Sequence, residues 1–66
     1  MIFHAIISID DDRWCKHPYS VKILDENNNC VIHRNYLDDE DECLQIISNF
    51  KQKGNNVCDD ITTEYY

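Results

Sequence analysis

One glycine and one proline in 66 residues exclude collagen-like repeats, Gly/Pro-rich linkers and a glycine-rich loop that cradles phosphate. Basic residues are scarce as well. Six Lys+Arg stand against thirteen Asp+Glu, a formal charge of −7, so the net field repels nucleic-acid phosphates and argues against direct nucleic-acid binding. No apolar run approaches the roughly 20 residues of a membrane span. The four cysteines include no C-x-x-C pair, which removes the dithiol redox motif. None of Ser8, Ser20 and Ser48 lies in a G-x-S-x-G elbow, and no signature links the histidines to a nucleophile. The chain therefore reads as a non-enzyme with no cofactor.

What remains is a small, acidic, moderately apolar chain. Hydrophobic residues make up 42%, enough for a modest core and high for a disordered segment. A domain of this size buries only about 60% of the surface its unfolded chain exposes, so a staple, a partner or a dimer interface would help it. The opening MIFHAIISIDDD has no basic segment before its apolar stretch and no small-residue cleavage pattern. It is not expected to be a signal peptide. The expected compartment is the cytoplasm, where Cys15, Cys30, Cys43 and Cys58 stay reduced.

Residues 2–9 alternate Phe3, Ala5, Ile7 and Ile9 on one face with Ile2, His4, Ile6 and Ser8 on the other. Because the second face is also partly apolar, this is read as a central strand. A charged loop of about nine residues follows and ends on Pro18. Residues 19–25 and 30–36 are β-rich runs separated by ENNN, whose asparagines tolerate left-handed backbone, and together they predict a hairpin.

The next segment predicts a helix from about Asp39 to Lys53. Asp39 and Glu42 have capping-box spacing, acids fill the first turn, Lys51 and Lys53 the last, and Gly54 follows as a left-handed cap. Cys43, Ile46, Ile47 and Phe50 form the apolar stripe, which Leu44 widens. In the tail, Val57, Ile61, Thr63 and Tyr65 share one face of a short edge strand. The fold class is α+β, a single domain over 1–66: a small, mostly antiparallel sheet in β-β-β-α-β order with one helix packed on one face.

Two metal arrangements deserve weighing. Cys15, His17, Cys30 and His33 supply four zinc-type ligands. Their spacing is wrong, however, and strict alternation would turn Cys30 and His33 to opposite faces of a strand. Cys30 and Cys43 are instead expected as small core residues, with Cys15 and Cys58 near the surface. The Asp10, Asp11, Asp12 trio at a strand end suits Mg²⁺ chemically, but no further ligand can be placed beside it. It reads as a solvated loop, and no metal is expected.

Charge distribution carries more information. Residues 1–37 sum to −1 and residues 38–66 to −6. Asp38, Asp39, Glu40, Asp41 and Glu42 are consecutive, and Asp59, Asp60 and Glu64 follow downstream. Capping and the helix dipole use two or three acids, whereas a run of five repels itself, which points to a cationic partner. Tyr36, Tyr65 and Tyr66 flank the acidic segments, and Trp14 sits in the charged loop. Tyr and Trp among charges suit protein contacts; Trp14 suits equally a role folded back over an open sheet face.

In its size, its DDEDE stretch and its acidic C-terminal half, the chain resembles the small acidic inhibitors, anti-CRISPR proteins among them, that bacteriophages express against host machinery. That resemblance implies stoichiometric inhibition of a basic protein or nucleoprotein complex in the host cytoplasm, with carboxylates standing in for phosphates as a nucleic-acid mimic. The expected contacts are Asp38 to Glu42, Asp59, Asp60, Glu64, Trp14, Tyr36 and Tyr65. Charge reversal at Asp39 and Glu42 is then expected to abolish inhibition without unfolding. The alternative is a structural or assembly subunit acting through homodimerisation, by edge-strand pairing or by the Ile2 and Ile6 face.

Overall fold

The computed structural model describes residues 2–10 and 16–65. β1 (Ile2–Ile9) lies at the centre of a mixed five-stranded sheet. On one side β2 (Tyr19–Leu24) pairs with it antiparallel, and β3 (Cys30–Leu37) pairs antiparallel with β2 beyond it. On the other side β4 (Asn56–Val57) and β5 (Thr62–Tyr65) pair with β1 in parallel, one after the other. α1 (Glu40–Gln52) packs on one face. The α+β class, the central place of β1 and the edge place of the tail agree with the expectations from sequence.

The parallel pairing follows from the helix. α1 starts where β3 ends and carries the chain back to the end of the sheet where β1 begins, so the return strand runs alongside β1 in the same direction. That return strand is divided. Phe3 and Ile6 of β1 have two residues between them, whereas their partners Val57 and Thr62 have four. Residues 58–61 therefore interrupt the pairing, and Asp59 and Asp60 lie in a connection rather than on a strand.

The core forms where the period-two face of the sheet meets the helical stripe. Ala5, Ile7, Val21, Ile23, Cys43 and Ile47 are buried there, with Phe3, Tyr19, Ile32, Ile46 and Phe50 packed around them. The Phe3 and Phe50 rings meet edge to face, with centroids 4.9 Å apart. Leu44 is 39% exposed and stands outside the stripe. Burial of this order is worth about 1.5–3 kcal/mol for each large side chain.

Local chemistry closes the β2–β3 turn and both ends of α1. In the β2–β3 turn the Asp25 carboxylate accepts from the Asn27 and Asn29 amides at 2.8 and 2.9 Å. Asn28 takes the left-handed backbone there, with φ 65°. At the helix start, Asp39 accepts from the Glu42 amide at 3.0 Å, and the Glu42 carboxylate accepts from the Asp38 amide at 2.5 Å. At its end, Gly54 has φ 94° and donates to Lys51 at 3.0 Å.

β3 departs from regular alternation twice. Register shifts fall between Tyr19 and Val21 and between Ile23 and Leu24 of its partner. The second shift brings Cys30 opposite Leu24 and His33 opposite Lys22, register positions on one face. Cys30 is consequently exposed, with its thiol donating to the Ile32 carbonyl at 3.2 Å, instead of buried in the core as alternation implied. Cys43 is buried and Cys58 half-buried.

Candidate functional site: an acidic end with an aromatic recess

The register gathers one end of the molecule. β1 and β5 finish there, β2 starts there, and β3 runs into the helix there, through the pairs Ile9 with Tyr19, Ile9 with Tyr65, and Tyr19 with Leu37. Asp10, Asp38 to Glu42, Glu64, Tyr36 and Tyr65 are thus brought to this end. Asp59 and Asp60 are not. They lie level with the middle of β1, some four residues or roughly 13 Å down the sheet, and Asp59 meets Lys51 at 3.8 Å.

The five consecutive acids divide by task. Asp39 and Glu42 close the cap described above, and Asp38 pairs with the imidazole Nδ1 of His17. Glu40 and Asp41 are exposed in the first turn. They make no ion pair or side-chain hydrogen bond among the described residues, so they present their charge to solvent. Sequence reasoning did not separate these roles. Charge reversal at Asp39 and Glu42 would disturb the helix start that those two hold together, which makes Glu40 and Asp41 the informative positions.

Tyr36 is the least ordinary residue of the site. Asn35 and Tyr36 together span the interval that Ser20 alone spans on β2, and Tyr36 absorbs the extra length with φ 60°. A bulky side chain rarely adopts that conformation, and such strain costs on the order of 1–3 kcal/mol. The ring is 79% exposed, so burial does not offset the cost. It lines a recess of about 250 Å³ with Asp10, His17, Pro18, Tyr19, Ser20 and Asn35. The phenol rings of Tyr19 and Tyr36 together with the Asp10 carboxylate form a surface suited to a cationic side chain.

The zinc-type residues are dispersed. His17 is at the acidic end, whereas Cys30 is at the far end of β3 beside the hairpin turn. Among the described residues no group of three or more His, Cys, Asp or Glu is arranged to hold a metal ion. Cys15, Asp11, Asp12, Trp14 and Tyr66 lie outside the described residues. No described helix is long and apolar enough to cross a membrane.

Comparison with protein-family models, with curated proteins and with solved structures finds no match. The functional reading accordingly rests on the chemistry of the acidic end.

Proposed function

We propose that this chain is a non-catalytic binding protein that inhibits a basic, nucleic-acid-binding protein or complex in the cytoplasm of a phage-infected host, by covering its cationic surface. The observation that carries the reading is the exposed, left-handed Tyr36 beside a recess on the same end as the carboxylates of Glu40 and Asp41, which have no ion-pair partner among the described residues. An arginine or lysine of the partner entering the recess would meet aromatic rings and carboxylate oxygens together, while the remaining acids take the place of backbone phosphates. Net charge of −7 would speed the encounter.

The test is retention of host proteins on the immobilised chain, followed by nucleic-acid binding assays on what is retained. A basic nucleic-acid-binding protein should be retained, should elute as salt rises from about 0.1 to 1 M, and should lose its nucleic acid when the chain is present. Glu40→Gln/Asp41→Asn should weaken all three effects. Salt-insensitive retention, or an unchanged double variant, would contradict the proposal.

The second reading, a homodimeric structural subunit, draws on Ile2, which is 51% exposed on the face away from the helix. Edge pairing is the less favoured form, because both edges are broken, one by the register shifts of β3 and the other by residues 58–61. A dimeric mass in solution that charge neutralisation leaves unchanged would favour this reading.

A further inference from the structure

Away from the acidic end, β3 and α1 enclose a second groove. It has a volume of about 240 Å³ and is lined by Ile32, Arg34, Ile46, Asn49, Phe50 and Lys53. Ile32, Ile46 and Phe50 are half-buried members of the core margin, so the floor is apolar and fixed by packing, with the Phe50 ring held by Phe3. The rim is cationic, and none of its described lining residues is a carboxylate.

That composition stands out against a chain with thirteen acids and six Lys+Arg. Arg34 stands opposite Val21 on the outer strand and donates to the neighbouring His33 carbonyl, at 3.0 Å. Lys53 is the C-cap residue. Neither makes an ion pair among the described residues. Asn49 spends its side-chain oxygen on Gln45 at 3.1 Å, which leaves its amide N–H groups as further donors. Three donors therefore rim an apolar floor, and the one acceptor side chain among the described lining residues, the Asn49 oxygen, already takes the Gln45 amide.

We propose that this groove binds a small organic monocarboxylate with an apolar body about the size of one aromatic ring. The guanidinium and ammonium take the carboxylate, and the Ile32, Ile46 and Phe50 floor takes the body. The volume sits just below the ~300–1,000 Å³ of typical small-molecule sites, which excludes large ligands. A ligand of that size binds with a dissociation constant of order millimolar.

The test is a titration of the full chain with 3-phenylpropionate, followed by amide proton–nitrogen correlation spectra. Saturable shifts should centre on Ile32, Arg34, Asn49, Phe50 and Lys53. The alcohol 3-phenylpropanol, which lacks the charge, and acetate, which lacks the body, should each bind at least about tenfold more weakly. Arg34→Gln/Lys53→Gln should show the same loss, with Lys53→Gln alone as the milder variant should the pair fold poorly. Equal binding of the alcohol or of acetate, shifts elsewhere, or no saturation by about 20 mM ligand would overturn the proposal. The acidic end takes no part in this titration, so its outcome is separate from that of the inhibitor reading.

Discussion

The imidazole of His17 is joined to the carboxylate of Asp38, linking the entry to β2 with the entry to α1. The contact consumes the first of the five consecutive acids and places the one imidazole among the described lining residues of the recess against it. Both side chains are about half exposed, so water and salt screen the pair. Its role is to fix the geometry of the acidic end more than to hold the fold together.

His17→Ala is therefore expected to lower stability by less than about 1 kcal/mol in urea or thermal unfolding. Freed of its partner, Asp38 adds to the negative field, and retention of a cationic protein should not weaken. A loss above about 2 kcal/mol would mean that the pair is structural after all.

The cap and its neighbours should respond in opposite ways. Asp39→Ala removes the acceptor for the Glu42 amide and is expected to cost about 0.5–2 kcal/mol, which in a domain this small moves the melting temperature by several degrees. Asp41→Ala is expected to stay within about 0.5 kcal/mol while reducing affinity for a basic partner. Chemical denaturation of both variants checks the first contrast.

Acid should loosen the β2–β3 turn in a defined window. The Asn29 amide hydrogen bond, with burial opposing it and the Asn27 amide and Asn29 side chain assisting, holds the Asp25 carboxyl below the ordinary carboxylate range. Its folded value is lower than its unfolded value, so the stability it contributes is complete above about pH 4–5 and disappears as pH falls through the lowered value. The Asn27 and Asn29 amide resonances should titrate with a midpoint below about 3.9, and Asp25→Ala should abolish that transition. A midpoint at or above the ordinary value would contradict this assignment.

Thiol reagents should distinguish the described cysteines. Burial pushes the Cys43 thiol up, and the carboxylates of Glu40, Glu42 and Asp39 push it further. The thiolate is the reactive species, so Cys43 should remain unlabelled at pH 8 until the domain is unfolded, while exposed Cys30 labels rapidly. Mass analysis of the labelled peptides reads this directly, and early labelling of Cys43 would show that its packing against β2 opens readily.

The elements legible in the sequence are those governed by neighbours in the chain. The ENNN asparagines, and Asp39 with Glu42 and Gly54, specify a turn and a helix through contacts only a few residues long, whereas the sequence pattern leaves Asp25, which closes that turn, at the end of a strand. The division of the tail was not legible, because it depends on comparing the four residues of a connection with two residues of the strand beside it. The exposure of Cys30 was hidden for a related reason: one irregularity in β3 shifts the face of everything beyond it. The acidic run was plain, but not that Asp39 and Glu42 serve the fold while Glu40 and Asp41 remain available. Nothing about a tyrosine marks it for left-handed backbone, so the strain at Tyr36 emerges only from the sheet.

The most direct measurement is the footprint of a hexa-arginine peptide on the amide spectrum of the intact chain, recorded at about 0.05 and 0.5 M salt. Shifts should concentrate on Tyr36 and residues 38–42, should shrink steeply at the higher salt, and should diminish in Glu40→Gln/Asp41→Asn. Shifts spread evenly over all carboxylates, with Asp25, Glu26 and Asp59 affected as strongly as Glu40 and Asp41, would contradict a dedicated acidic end.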